Sequence, residues 1–439
     1  MNRVVTHAPP RRERAIIVGL VTRSTYRWTA EEFLDELALL ADTAGAEVVG
    51  RVLQERSEID PAYFIGRGKV SELRALVKQE QANLILFDDD LSPAQVRNLE
   101  RDCGARVVDR SGLILDIFAR RARTREAKTQ VELAQLEYLL PRLTRQWTHL
   151  SRQEGGIGLR GPGETQLEID RRQIRRRINF LRQELEKIHR QRAIRRKHRE
   201  ELFQVALVGY TNVGKSTILN ALTRADVLVE DRLFATLDPT VRIMDSDGRR
   251  TVVLIDTVGF IRKLPHHLVA SFMSTLQESM AADLLVHVVD VSHPQFAVQM
   301  DTVREVLRSL NALDRPILTV FNKVDRLTNT GLLPGLLEAH RPSIAVSATR
   351  GIFMDRLREE ILRFAEQRLI EFEMQVPAKD SRLVAKLYAL ADVLEADYQD
   401  GQVLVKARAT RARLERIRRL AHGWGQATEE YSSKGEEES

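Results

Sequence analysis

The chain has 439 residues, 43% hydrophobic and 30% charged, with 68 Lys and Arg against 62 Asp and Glu for a net charge of +6. That length allows about three domains, each with its own core. The single cysteine, Cys103, excludes an intramolecular disulfide, and no apolar run reaches the roughly 20 residues that span a bilayer. An N-terminal apolar stretch too short for a signal peptide leaves the cytoplasm as the expected location, with a peripheral visit to a membrane surface as the alternative.

Residues 1–13 read as a flexible lead-in, with Pro9-Pro10 among arginines. From 14 to 118, short β-branched runs (Ile16 to Val21, Val48 to Leu53, Leu84 to Phe87, Arg106 to Val108) alternate with helical spacings over Ala30 to Ala41, Val70 to Gln81 and Pro93 to Arg101. Such alternation predicts a small α/β domain. Its one oddity, Gly66-Arg67-Gly68-Lys69, reads better as a glycine-rich turn opening a helix than as a phosphate site.

Residues 119–200 carry the positive charge, with 21 Lys or Arg against 9 Asp or Glu between Arg121 and Arg199. Leu133, Leu136, Leu140, Leu143 and Trp147 recur at spacings of three and four. So do Ile174, Ile178, Leu181, Leu185 and Ile188, giving the a/d seam of a coiled-coil pair. Between them, Gly155, Gly156, Gly158, Gly161 and Gly163, with a proline, forbid a helix. The expectation is an antiparallel hairpin whose helices, at about 30 residues each, lift a glycine-rich tip roughly 45 Å from the base. Arg160 at the tip and Arg171, Arg172, Arg175 and Arg176 just beyond it are the candidate contacts to RNA phosphates.

Residues 201–370 carry the chemistry. Gly209-Tyr210-Thr211-Asn212-Val213-Gly214-Lys215-Ser216 follows an apolar strand and precedes a helix, the context a P-loop requires. Its backbone N–H groups converge on phosphates at a helix N-terminus, Lys215 reaches the β- and γ-phosphates, and the Ser216 hydroxyl suits magnesium. Asp256-Thr257-Val258-Gly259 ends a second strand, with Asp256 behind the metal and Gly259 facing the γ-phosphate. Asn322-Lys323-Val324-Asp325 ends a third. The Asp325 carboxylate can accept from guanine N1–H and the exocyclic amine together, whereas adenine would leave buried polar atoms unpaired. Ser347-Ala348-Thr349 then supplies an N–H for guanine O6. A magnesium-ligating threonine belongs between the P-loop helix and Val241, where Phe234-Ala235-Thr236-Leu237-Asp238-Pro239-Thr240 offers two. Order and spacing together predict a GTP hydrolase that uses magnesium.

Residues 371–425 read as a small α+β domain: strand Glu371 to Val376, helix Ser381 to Leu394, strand Gly401 to Ala407, helix Arg411 to Leu420. An acidic tail, 426–439, is expected to be disordered.

FATLDPT, DTVGF, NKVD and GYTNVGKS, with GIGLRGPGETQLEIDRR ahead of them, resemble the HflX family of translation-associated GTPases from residue 14 to about 370. The resemblance implies an N-terminal α/β domain, a helical hairpin and a G domain, with Thr236 rather than Thr240 as the magnesium ligand. It also implies that 209–216, 234–238, 256–259, 322–325 and 347–349 touch GTP. Members associate with the large ribosomal subunit, near the peptidyl-transferase RNA, and split stalled ribosomes; the expected chain is a monomer in solution. Two positions depart from the general GTPase plan. Phe260 stands where Ras-type proteins carry the glutamine that orients water, and Thr349 where many GTPases carry lysine. Asn212 has two readings, a potassium ligand or a residue that stabilises the P-loop turn. An RNA-remodelling NTPase and a membrane-linked regulatory GTPase with a coiled-coil arm are the competing functions.

Overall fold

The computed structural model describes residues 12–23, 26–143, 166–196, 202–223, 233–244, 252–263, 282–378, 381–399 and 401–422. Gly155, Gly156, Gly158, Arg160, Gly161, Gly163, Trp147, nearly all of the lead-in and the acidic tail lie outside them.

Four parallel strands open the chain: β1 (Glu13–Val21), β2 (Ala46–Glu55), β3 (Leu84–Phe87) and β4 (Arg106–Asp109), in the order β2-β1-β3-β4. Both faces of β1 are apolar because both are covered, as a parallel sheet requires. Ala15 and Ile17 pack with Leu34, Leu37 and Leu40 of α1 (Arg27–Thr43) and with α4 (Arg110–Arg121). Ile16 and Val18 face α2 (Arg67–Gln79) and α3 (Pro93–Cys103). Ser92 and Gln95 form a capping box that starts α3, with Pro93 at the first helical turn. Gly66 sits at the N-cap of α2 and Lys69 pairs with Glu72, so Gly66 to Lys69 opens a helix.

Next come α5 (Arg125–Leu139), a short 3-10 turn (Leu140–Arg142) and the 31-residue α6 (Gln166–Arg196). Leu133, Ile178, Leu181 and Leu185 form their seam, with Leu136, Leu140 and Ile174 at its edge. Arg177–Glu132, Arg182–Glu137 and Arg125–Glu184 bridge the two antiparallel helices. Among the described residues the first α-helix ends at Leu139. Pro141 lacks an N–H and clashes with the preceding turn, so the α-helix stops at Leu139 and tightens into the 3-10 turn.

The second sheet has the order β10-β9-β8-β5-β7-β6, built from β5 (Phe203–Gly209), β6 (Thr240–Met244), β7 (Val252–Asp256), β8 (Leu284–Asp290), β9 (Ile317–Asn322) and β10 (Ser343–Ala345). Only β6 runs antiparallel. Helices α7 (Lys215–Thr223), α8 (Phe296–Ser309), α9 (Leu333–Ala339) and α10 (Met354–Gln367) belong to it. One hydrophobic cluster runs from Ala15 and Phe118 through Phe234 to Ala365, so the first sheet and the second share a core.

Last comes an antiparallel sheet, β11-β13-β12, with two helices on one face: β11 (Ile370–Pro377), α11 (Ser381–Leu390), β12 (Asp392–Gln399), β13 (Gln402–Ala409) and α12 (Arg411–His422). Sequence reading ran the α11 helix on to Leu394 and had no β12. Residues 392–399 instead pair with β13 in a hairpin closed by Gly401 at φ +76°, a backbone state that glycine adopts without strain.

Candidate active site

At the C-terminal edge of β5 the chain turns over Gly209 to Gly214 into α7. Gly214 has φ +94°, and a Cβ there would meet the Asn322 amide nitrogen at 2.4 Å; at Gly259 it would meet the Thr211 Cα at 2.7 Å. Glycine therefore lets two loops close on one cavity. Thr211, Asn212, Gly214, Lys215, Ser216 and Thr217 form its floor, while Phe234, Ala235 and Thr236 cover one side and Thr257 and Gly259 the other.

Lys215 is buried beneath this cradle, its Nζ donating to the main-chain oxygens of Tyr210 (2.7 Å) and Gly209 (3.3 Å). Burial lowers its pKa to about 8, against an opposing pull from Asp256. Ser216 Oγ donates to Asp256 Oδ2 at 2.6 Å and lies 2.8 Å from Thr236 Oγ1. Burial raises the Asp256 pKa, and its Oδ1 is buried with no hydrogen-bond partner among the described residues. Three hard oxygen donors and an orphaned carboxylate oxygen at one spot are the donor set that magnesium favours.

The guanine loops abut the same floor. Asn322 joins them, donating from Nδ2 to Val213 O (2.8 Å) and accepting from Ala348 N–H at Oδ1 (3.1 Å). Lys323 Nζ donates to Asn212 O (2.9 Å) and pairs with Asp290 (2.7 Å), which lays its stem along the loop. Val324 N–H donates to Val346 O, and a hydrogen bond from Ser347 holds the Asp325 carboxyl below the usual carboxylate range. Ser347 Oγ also lies 3.3 Å from Thr349 Oγ1, closing that loop on itself.

Several expected contacts have other work. Leu237 and Val258 are core residues. The Asp238 carboxylate turns away from the cavity and accepts from Arg123 N–H, Thr124 N–H and the Thr124 hydroxyl. Phe260 is 1% exposed, with its main chain bonded to Gly209 and Thr211, so its ring cannot reach a water in the cavity. Asn212 is exposed at φ +61°, a conformation asparagine tolerates. The turn itself therefore explains that residue, and a potassium role rests on sequence position alone.

Sequence reading also missed a set of polar residues behind the cavity. Arg110, 1% exposed, bridges Glu36 and Asp88 and donates to Arg262 O. Tyr210 of the P-loop donates to Glu36 and accepts from Arg262 N–H. Arg262 and Lys263 also pair with Asp88, and the Arg262 guanidinium lies 3.1 Å from the centre of the Phe33 ring. Burial alone would raise the Asp88 pKa, but Arg110, Lys263 and Arg262 hold it below its ordinary value. The only local signal was an arginine at the first position of α4, between two apolar runs.

A buried lysine under a phosphate cradle, joined through one asparagine to a carboxylate loop shaped for guanine, is the working arrangement of the P-loop GTPases. Three family models agree: GTP-binding GTPase N-terminal over 31–119, GTP-binding GTPase middle region over 121–199, and 50S ribosome-binding GTPase over 204–323. GTPase HflX of Magnetococcus marinus is 48% identical over 393 residues, covering 89% of this chain and 90% of its own. GTPase HflX of Escherichia coli K12 is 45% identical over 382 residues, covering 86% and 89%. Among solved structures, a GTP-binding protein from Sulfolobus solfataricus in complex with GDP is 26% identical at a TM-score of 0.43, covering 81% of this chain and 99% of that one. The chain belongs to the HflX family of GTPases. It binds GTP and hydrolyses it.

Proposed function

We propose that the chain is a ribosome-associated GTPase whose basic hairpin engages RNA of the large subunit and whose GTP cycle splits or rescues stalled ribosomes. The observation that carries this reading is the hairpin. Its seam is apolar, ion pairs bridge its two helices, and α6 presents Arg172, Arg175 and Arg176 on its exposed face, close in sequence to the glycine-rich segment. Arg171 is turned inward, donating to Leu143 O at 2.7 Å, and so braces the hairpin. The match of 204–323 to a ribosome-binding GTPase model supports the same partner. No described helix is long and apolar enough to cross a membrane, and the outer face of α6 offers arginines where a membrane-linked arm would need apolar residues.

In the site, Ser216 and Thr236 would hold magnesium, with Asp256 behind them. Bound there, the ion offsets charge on the β- and γ-phosphates. Lys215 and the P-loop N–H groups carry the rest of the phosphate charge, and Asp325 selects guanine. No glutamine follows Gly259, so intrinsic turnover is slow and the large subunit supplies the missing order.

Cosedimentation with large subunits in GTP, GDP and a non-hydrolysable analogue tests the reading. Binding should be strongest with the analogue and weaken steeply with salt, since each neutralised phosphate releases counterions. Deleting Gly155 to Gly163 should spare GTP binding and abolish ribosome splitting. Splitting that survived the deletion would refute the hairpin's role.

A further inference from the structure

The loop that carries Thr236 is pinned on both sides by one stretch of chain, the junction between α4 and α5. On the near side, Phe234 is buried with φ +55°, a left-handed conformation costly for a bulky side chain. Such strain persists only where the surroundings over-determine it. Here its ring packs edge-on against Phe118 of α4 at 4.7 Å, and its N–H donates to Thr211 Oγ1 at 2.9 Å. On the far side, the Asp238 carboxylate takes three donors: Arg123 N–H (3.0 Å), Thr124 N–H (3.2 Å) and the Thr124 hydroxyl. A carboxylate at the N-terminus of α5 is also favoured by the helix dipole.

Thr124 serves two partners with one oxygen. Its Oγ1 accepts from Ala127 N–H at 3.1 Å, capping α5, and donates to Asp238. Thr236 lies two residues from Phe234 and two from Asp238, so it cannot shift while both are held. Its hydroxyl then stays 2.8 Å from Ser216 Oγ, within the oxygen cluster built on Asp256.

We propose that Thr124 is a positioning residue for GTP hydrolysis: through Asp238 it holds Thr236 in the place where the γ-phosphate side of the site needs it. The hydrogen bonds of Thr124 go to Asp238 and within α5, and none reaches the P-loop or the guanine loops, so its effect is confined to the triphosphate state. GDP lacks the group that makes the Thr236 loop matter.

The test separates capping from positioning. Thr124→Asp keeps a cap acceptor for Ala127 but sets a carboxylate against Asp238; Thr124→Ser keeps both bonds. In Thr124→Asp, GTP turnover should fall about tenfold and affinity for a non-hydrolysable GTP analogue should weaken severalfold, a coupling of ordinary size. GDP affinity should stay unchanged, and Thr124→Ser should match wild type. Equal losses for GDP and the analogue, or unchanged turnover, would overturn the proposal. If Thr124→Asp fails to give a folded protein by circular dichroism, Asp238→Ala decides, since it removes the acceptor and leaves the Thr124 cap in place. Lower turnover with GDP affinity unchanged supports the proposal; unchanged turnover, or a loss shared with GDP affinity, refutes it.

Discussion

Two small modules of mixed strands and helices flank the G domain, and they are joined to it in opposite ways. The N-terminal module shares a hydrophobic core with it and sets an ionic network centred on buried Asp88 and Arg110, with Glu36, against Arg262 and the more exposed Lys263 of the segment that follows Gly259. The C-terminal module keeps its core to itself, from Ile370 to Leu420. Its ion pairs, Glu371 with Arg408 and Lys406, lie on the open face of its own sheet. Size and secondary structure do not separate the two modules. What separates them is whether polar groups are buried across the joint, because buried partners must find each other and exposed ones need not.

The largest test of that contrast is Arg110→Ala. It would leave Glu36 and Asp88 facing each other without their buried cation, and breaking such a set costs about 3–5 kcal/mol. Urea denaturation should show that loss; a change below 1 kcal/mol would mean that Arg110 adds little to the network that faces Arg262 and Lys263. A lesion touching neither module sets the scale within the G domain. Asp325→Asn should weaken GTP by about 100-fold or more and favour xanthosine triphosphate instead, measured by nucleotide competition. Unchanged GTP affinity would remove Asp325 from guanine recognition.

A smaller effect is expected from pH. Lys215 titrates near 8 in the free protein because of burial, and phosphate oxygens beside it would raise that value on binding. The protonated form binds, so affinity should be flat below pH 8 and fall by up to about tenfold per unit above it. A flat profile to pH 9.5 would contradict the placement of Lys215 against phosphate. Smallest of all should be Glu371→Gln on the C-terminal sheet, with no measurable change in unfolding midpoint or GTP turnover, as for most exposed ion pairs. A clear loss of turnover would show that this module is keyed to the G domain after all.

The parts of this molecule readable from sequence are those whose cause is local. The continuous apolar run of β1 and the heptad seam of α6 each follow from neighbouring residues, and the P-loop is legible because its strand, glycines and helix are contiguous. Pro141 was equally local, and its effect on the first hairpin helix could have been read from its missing N–H. β12 was hidden because Asp392 to Gln399 follows a helix without a proline or glycine between them. The joint between modules could not be read at all. Arg110 and Arg262 lie 152 residues apart, Thr124 and Asp238 lie 114 apart, and only the fold brings them together.

The unbroken length of α6 has a mechanical meaning. Arg125, beside the Thr124 cap, pairs with Glu184 on α6, and His189 lies against Glu126. From Glu184 to Gln166 the helix runs roughly 27 Å at about 1.5 Å per residue. Its contacts with the start of α5 place a pivot point close to the loop that carries Thr236. A tilt of about 10° at that point would sweep Gln166 through about 5 Å, close to one helical pitch.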